Sequence, residues 1–224
     1  MTLPKQLQAG LVWTSEFLDQ WIPRYVYAIG GGTVLAARWH HRLSTDIDLF
    51  AEEDALSDAL NSNTWVEISE ALTQQATMRT ISELVLSPNG FSCKLPSGPI
   101  SFYSNPHLTP MPVSREREDS TGVDAEHTTE IVFKKLRGRM VNASRYLARD
   151  LYDLVVCYGV DKESLDAAMA VLSTLERDSL SYDVQRGDTN VLDLDRVLQP
   201  VYPVLIADLT QFNRVAGEVL ARNV

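Results

Sequence analysis

Apolar residues near the start of the chain follow helical spacing first and strand spacing afterwards. The spacing over residues 7–22 predicts one or two helices that end at Pro23, because proline cannot continue a helix. A short apolar run at residues 25–29 predicts a strand, the glycines after it predict a turn, and Thr33 opens a short helix. Beyond a polar loop, residues 46–50 predict a second strand, so this stretch is interpreted as strand, turn, helix and strand.

The middle of the chain predicts a helix that ends near residue 60, a second helix and several strands. Residues 65–76 have helical spacing, whereas residues 80–86 and 90–95 are typical of strands joined by the Ser-Pro-Asn-Gly turn between them. Residues 99–104 predict a further strand. Prolines and a mixed charge cluster mark residues 105–120 as a linker between two lobes.

The second half of the chain predicts helices. Residues 124–137 and 146–158 form two of them in this prediction, and residues 161–177 form one amphipathic helix. Residues 179–195 are polar and predict irregular structure, and residues 204–219 predict a closing helix.

These patterns predict an α+β fold in two lobes. The N-terminal lobe, residues 1–110, holds a mixed sheet with helices, and the C-terminal lobe, residues 120–224, is helical. A length of 224 residues with 45% hydrophobic residues suits such a globular chain. Cys93 and Cys157 show neither metal spacing nor a disulfide framework, which predicts buried, reduced thiols.

The net charge of −10 argues against broad nonspecific binding of nucleic acid. Residues 131–149 nevertheless form a basic stretch without acidic residues, which is either a solvated helix face or a local nucleic-acid contact. The basic residues of the stretch 131–149 are Lys134, Lys135, Arg137, Arg139, Arg145 and Arg149.

The N-terminus lacks an apolar signal core and no apolar run reaches the length of a membrane span, so we expect a soluble, cytoplasmic protein without a membrane partner.

Asp46 and Asp48 are the first candidates for chemistry. Positions i and i+2 of a strand point to the same face, so both carboxylates can reach one point and bind Mg²⁺ through oxygen. Backbone N–H groups of Gly31 and Gly32, together with the Thr33 hydroxyl, can approach phosphate oxygens closely. The combination predicts a site for a nucleoside triphosphate, with Asp46 and Asp48 as metal ligands.

Simpler explanations exist for each part of this pattern. A lone Asp-x-Asp occurs at solvated strand ends, and a glycine triplet is usually only a turn. The chain contains a second such pair, Asp193 and Asp195, which follows no glycine turn and is interpreted as a surface or helix-start feature. The first pair differs because it follows a strand, a glycine turn and a helix at short spacing.

Two motifs resemble those of a known family. The first comprises Gly30-Gly31-Gly32-Thr33, His41-Arg42-Leu43-Ser44 and Asp46-Ile47-Asp48-Leu49-Phe50. The second comprises Glu130-Ile131, Lys135-Leu136 and Arg149-Asp150-Leu151-Tyr152-Asp153-Leu154. In this order they resemble the signatures of the AbiEii/AbiGii toxin family. Those proteins are nucleotidyltransferases of the polymerase-beta-like superfamily, so the resemblance implies that fold for the N-terminal lobe and a helical lobe that carries Lys135 and Asp150.

The resemblance also implies an activity and its partners. It implies Mg²⁺-dependent transfer of a nucleoside monophosphate from a triphosphate to an acceptor hydroxyl, with release of pyrophosphate. RNA, such as the 3′ end of tRNA, is the leading acceptor, and a protein is the runner-up. The chain would be the toxin of a toxin–antitoxin or phage-defence pair, with a cognate antitoxin. Its catalytic residues would be Asp46, Asp48, Lys135 and Asp150, with Lys135 adding positive charge at the triphosphate.

The third metal ligand is an open question. The superfamily usually carries a third carboxylate on a strand after the Asp-x-Asp pair, but residues 100–103 contain no acid, and Glu83 is the only carboxylate in the neighbouring predicted strands. Asp150 could complete the metal shell, orient the acceptor or act as base. Asp153 is the second candidate, and its alternative roles are to pair with Arg149 or to cap a neighbouring group.

Two residues before the aspartate pair have alternative roles. Arg42 either contacts phosphate or structures its loop, so it joins Gly31, Gly32 and Thr33 as a triphosphate-binding candidate. His41 is interpreted as a hydrogen-bonded loop anchor.

Two other classes of function compete with the enzyme. One is a nucleotide- or partner-binding module of the same fold with impaired catalysis, which would bind triphosphate without turnover. The other is a helical interaction protein, which would bind no triphosphate.

Overall fold

A computed structural model describes residues 1–53, 56, 62–143, 147–185 and 218 of the chain. Contacts between residues divide the chain into two units that alternate along the sequence. The first unit comprises Met1–Ala37, Ser44–His107 and Val113–Glu126. The second unit comprises Arg38–Leu43, Leu108–Pro112 and the described part of His127–Val224. Each unit is described by itself.

One mixed β-sheet forms the centre of the first unit. Its seven strands within the described residues are β1 Tyr27–Gly30, β2 Ile47–Ala51, β3 Ser82–Ser87, β4 Gly90–Leu95, β5 Gly98–Ser104, β6 Val113–Arg117 and β7 Asp124–Glu126. Across the sheet their order is β3-β4-β5-β2-β1-β7-β6. Strand β2 runs antiparallel to β1 and parallel to β5, so both of its edges are hydrogen-bonded.

Strand β2 divides a buried face of the sheet from a half-exposed one. Ile47, Leu49 and Ala51 are buried, whereas Asp48 and Phe50 between them are half-buried. This alternation follows from the two-residue period of a strand. Apolar side chains are therefore directed into the core and Asp48 towards the open face.

Three helices within the described residues lie wholly or mainly in the first unit: α1 Lys5–Leu18, α2 Gly31–Trp39 and α3 Ser62–Thr77. Helix α1 packs against β2 and β5, and the residues that its spacing marked as apolar, such as Leu7 and Leu11, are buried. A single helix, which begins at Lys5 and ends at Leu18, therefore covers most of the predicted range 7–22. A 3₁₀ turn at Arg24–Val26 shortens the predicted strand 25–29 at its start.

Strands β6 and β7 lie where the sequence predicted a linker and the start of a helix. The first residues of the predicted helix 124–137 pair instead with β1, Ala28 opposite Asp124, and the helix begins only after His127. Hydrogen bonds between distant segments leave no trace in local spacing, which explains the error. The first unit consequently extends to Glu126, beyond the predicted lobe end at residue 110.

Apart from the end of α2, the regular elements in the described part of the second unit are all helices. They are α4 Thr128–Phe133, a π-helix Lys134–Val141, α5 Ala148–Val160, α6 Lys162–Val171 and α7 Thr174–Gln185. Their shared core includes Phe133, Leu136, Leu151, Leu154 and Leu165. No helix in the described residues combines the length and the apolar character needed to cross a bilayer.

The single helix predicted over residues 161–177 is two helices, α6 and α7. The Ser173 hydroxyl accepts a hydrogen bond from the Glu176 N–H at 3.3 Å, and the Glu176 carboxylate accepts one from the Ser173 N–H at 2.8 Å. This capping box starts α7, which continues through the first part of the segment 179–195 that was predicted irregular. The remainder of that segment and the predicted helix 204–219 lie outside the described residues, except for Glu218, which is helical.

Candidate active site

Asp46 and Asp48 lie at the start of β2 and are both half-buried. Asp46 immediately precedes the strand and Asp48 is its second residue. Both line one cavity of about 220 Å³, together with Ser92, Lys94 and Ser101 of the neighbouring strands. The two carboxylates therefore face a common space, as their spacing predicts.

Gly31 brings the backbone of α2 against the Asp48 carboxylate. In register, Gly30 lies opposite Asp48 on the antiparallel pair β1 and β2, and Gly31 follows as the first helical residue. Gly31 has φ of +68°, a left-handed conformation that favours glycine, and a Cβ atom there would collide with Asp48 Oδ2. The glycine is thus required for both backbone conformation and space.

Hydroxyl groups hold the two carboxylates. Ser44 donates to Asp46 Oδ1 at 3.0 Å, and Ser101 donates to Asp48 Oδ1 at 2.6 Å. The Thr33 hydroxyl is buried, lies 2.7 Å from that of Ser44 and donates to the Asp46 carbonyl oxygen. The Thr33 hydroxyl, which the sequence makes a phosphate-binding candidate, therefore contacts the backbone of Asp46.

The carboxylate pair fits a hydrated divalent cation. Mg²⁺ commonly binds one or two protein carboxylates and keeps several waters, and 220 Å³ exceeds several-fold the roughly 30 Å³ that one water occupies. Within the described residues, no group of three or more His, Cys, Asp or Glu side chains could hold a metal. The candidate ligands are Asp46 and Asp48, which line this cavity.

Lys135 and Asp150 form an ion pair in the interior of the second unit. The Lys135 ammonium contacts Asp150 Oδ1 and lies 3.1 Å from Asp153 Oδ2. Arg139 Nη1 lies 2.8 Å from both oxygens of Asp150. Burial would raise the pKa of Asp150, but the positive charges of Lys135 and Arg139 outweigh it, so that this pKa is lowered.

Asp153 is the most enclosed acid of this cluster. It accepts hydrogen bonds from Arg42 Nε at 2.7 Å and Arg42 Nη2 at 2.9 Å, and lies 2.6 Å from His41 Nε2. Its side chain is fully buried. Burial would raise the pKa of Asp153, yet the charges of Lys135 and Arg42 and the hydrogen bonds from Arg42 and His41 hold it far below its ordinary value. Asp153 is therefore a permanent anion at neutral pH.

These contacts decide between several alternatives. Arg42 is buried and forms a bidentate pair with Asp153, which favours the loop-structuring role over phosphate contact. His41 anchors its loop on the same carboxylate. Lys134 lies 3.4 Å from Glu130, whereas Lys135 contacts Asp150 and Asp153, which with their cations are called the acid cluster.

The candidate residues are distributed over both units. Gly31, Gly32, Thr33, Asp46 and Asp48 belong to the first unit. Arg42, Lys135 and Asp150 belong to the second.

Sequence reasoning missed Ser44, Ser101 and Arg139. Arg139 follows Lys135 by one helical turn, a spacing that brings side chains together and could have linked both cations to one acid. The sequence showed only that residue 101 is not an acid. The pairing of Ser101 with Asp48 depends on a parallel register that local sequence does not specify.

A mixed sheet with an Asp-x-Asp strand beside a glycine-initiated helix defines a nucleotidyltransferase fold of the polymerase-beta type. The family model described as "Nucleotidyl transferase AbiEii toxin, Type IV TA system" matches residues 17–215, so the chain belongs to this family and is a nucleotidyltransferase. The resemblance found in the sequence is thereby confirmed. No curated protein sequence matches the chain.

The chain is similar to several solved structures, and the first of those that follow supports the fold. A putative nucleotidyltransferase from H. pylori is 16% identical, with a TM-score of 0.53 over 99% of this chain and 96% of that one. JHP933 from Helicobacter pylori is 14% identical, with a TM-score of 0.48 over 99% and 93% of the two chains. ANT(2")-Ia, solved in complex with adenylyl-2"-tobramycin, is 13% identical, with a TM-score of 0.49 over 75% and 97%.

Proposed function

We propose that this nucleotidyltransferase is metal-dependent and transfers a nucleoside monophosphate from a triphosphate to a hydroxyl of RNA, releasing pyrophosphate. The observation that carries the proposal is the contact between the Asp48 carboxylate and the backbone of Gly31, beside Asp46 and the shared cavity. A carboxylate pair and a helix start without a side chain are the two parts that a metal–triphosphate complex needs.

The first unit supplies the proposed metal and phosphate contacts. Asp46 and Asp48 would hold Mg²⁺ through their carboxylates, and the N–H groups of Gly31 and Gly32 would contact phosphate oxygens. When bound, the metal neutralises charge on the triphosphate and aligns its oxygens for displacement. Ser44 and Thr33 support this arrangement by fixing the carboxylate and the backbone of Asp46.

Lys135 is the proposed cation of the second unit. Lys135, Arg139 and Arg42 contact the anions Asp150 and Asp153. We assign Lys135 to charge stabilisation at the triphosphate and Asp150 to orientation of that lysine and of the acceptor hydroxyl. Arg139, whose side chain is 38% exposed, adds a cation that solvent can reach.

The acceptor and the biological role are part of the same proposal. The family description places its members in type IV toxin–antitoxin systems, and we infer that this chain acts as the toxin, opposed by a cognate antitoxin. RNA, with tRNA as the first candidate, is the proposed acceptor, and protein is the alternative that the same assay detects.

The test is incubation of the protein with each α-labelled nucleoside triphosphate, Mg²⁺ and total RNA. We expect label in RNA from wild type and none from Asp48→Ala. Asp195→Ala, which removes an acid from the second Asp-x-Asp pair, is the matched control and should leave transfer intact. Absence of label in RNA and protein with every triphosphate would overturn the proposal, and tight triphosphate binding without transfer would favour the catalytically impaired module.

A further inference from the structure

We propose that Ser101 is a positioning residue, whose hydroxyl orients the Asp48 carboxylate for a divalent cation. This inference rests on the proposed function, because it concerns the same metal site. It assigns a role to a residue of the strand on which the chain lacks the third carboxylate.

The β-sheet register places Ser101 directly beside Asp48. Strands β2 and β5 are parallel, with Asp48 opposite Ser101, and the hydroxyl donates to Asp48 Oδ1 at 2.6 Å. Facing residues of adjacent strands project from the same face, so this contact follows from the backbone register rather than from a flexible side chain.

The two oxygens of Asp48 face different neighbours. Oδ1 accepts from Ser101 on β5, whereas Oδ2 lies where a Cβ atom of Gly31 would be. Strand β5 and the residue that follows β1 lie on opposite sides of β2, so Asp48 is hydrogen-bonded to Ser101 on one side and lies against Gly31 on the other. A hydrogen bond that restricts the orientation of a carboxylate reduces the conformational freedom that is lost when a cation binds.

A neutral donor suits this task better than a cation. A hydroxyl donates a single hydrogen bond and leaves the negative charge of the carboxylate in place for a metal. Ser44 donates a hydrogen bond to Asp46 Oδ1 in the same way, so each candidate metal ligand accepts a hydrogen bond from a serine hydroxyl. Lysine or arginine at these positions would compete with the metal for the carboxylate.

The test is Mn²⁺ binding to the full chain, measured by electron paramagnetic resonance of the free ion without triphosphate. We expect Ser101→Ala to weaken Mn²⁺ binding about 10-fold, the usual cost of losing a group that orients a metal ligand. Ser101→Thr retains the hydroxyl and should bind within about twofold of wild type. Ser92→Ala is the matched control, since Ser92 faces Ser101 across β4 and β5 and lines the same cavity.

The outcomes separate this inference from the proposed function. Equal Mn²⁺ affinity of wild type and Ser101→Ala overturns the role of Ser101 while the metal site stands. Ser101→Thr as weak as Ser101→Ala, or an equal loss in Ser92→Ala, also overturns it. No Mn²⁺ binding by wild type removes the metal site itself and with it the proposed function. Equal melting temperatures without metal show that the variants are folded.

Discussion

Two close pairs of aspartates in the described part of the chain lie in opposite surroundings. Asp46 and Asp48 are half-buried at a cavity, and serine hydroxyls hold one oxygen of each. Asp150 and Asp153 are fully buried and contact lysine and arginine side chains. Serine hydroxyls donate hydrogen bonds to the first pair, whereas lysine and arginine side chains of the protein contact the second.

This difference indicates how one chain can use the same residue type for two tasks. A buried carboxylate loses its hydrating water. It remains an anion only if cations and hydrogen bonds replace that hydration, as they do at Asp153. A half-buried carboxylate keeps part of its hydration and can exchange water for a metal. The comparison therefore supports the proposed metal binding by Asp46 and Asp48, and a structural role in the ion pairs of the second unit for Asp153.

Asp48→Asn sharpens the comparison most. It keeps the shape of the side chain and the contact with Ser101 but removes the charge that a cation needs. We expect nucleotidyl transfer to fall by about 10³-fold, with stability unchanged within about 0.5 kcal/mol. Initial rates of label transfer, with Asp195→Asn as control, measure the effect; a loss below 10-fold, or an equal loss in the control, contradicts the assignment.

Asp153→Asn is the corresponding change in the second pair. It leaves Arg42 and Lys135 buried without their shared anion, and breaking one partner of a buried pair costs about 3–5 kcal/mol. Urea unfolding measures the loss. Lys162→Ala, which breaks an exposed pair with Asp166, is the control and should cost less than about 0.5 kcal/mol. Similar losses of stability in Asp153→Asn and Lys162→Ala would contradict the prediction that the buried ion pairs of Asp153 stabilise the fold.

Gly31→Ala tests the first pair from the backbone side. The left-handed φ and the collision with Asp48 should together cost about 1–2 kcal/mol of stability and weaken Mn²⁺ binding. Gly138→Ala is the control, because a Cβ there meets nothing within 4 Å and alanine favours a helix by up to about 1 kcal/mol. A Gly31→Ala protein as stable and as able to bind Mn²⁺ as wild type would break the proposed contact.

Low pH should reduce the stability of the fold through Asp153 of the buried pair Asp150 and Asp153. The folded pKa of Asp153 lies below its ordinary value of 3.8, so the unfolded chain binds more protons as pH falls. The stability from this pair is fully present above about pH 5 and declines as pH drops through the unfolded pKa. Urea unfolding between pH 6 and pH 3 should show a shallower decline in Asp153→Asn than in wild type, and parallel curves would contradict the prediction.

The sequence predicted those features that depend on local spacing. The order from β1 through α2 to β2, the strands β3 to β5 and the helices around Lys135 and Asp150 follow from apolar periodicity and turn residues. The facing of Asp46 and Asp48 follows from the strand period alone. The family signatures added Lys135 and Asp150 to the candidate residues.

Features that depend on distant pairing could not be predicted in this way. Strand β7 forms because Asp124 meets β1, and Ser101 reaches Asp48 because β5 is parallel to β2. Arg42 finds Asp153 more than a hundred positions away, so its role remained open until the structure was known. The break between α6 and α7 was readable from the Ser-x-x-Glu capping box but was overlooked.

The most direct measurement of the central claim is anomalous scattering from crystals of the full chain grown with Mn²⁺ and a non-hydrolysable nucleoside triphosphate. The account predicts a Mn²⁺ peak within coordination distance of both the Asp46 and the Asp48 carboxylates, with phosphate oxygens at the N–H groups of Gly31 and Gly32. An ordered triphosphate bound elsewhere, with no Mn²⁺ at these two carboxylates, would contradict it.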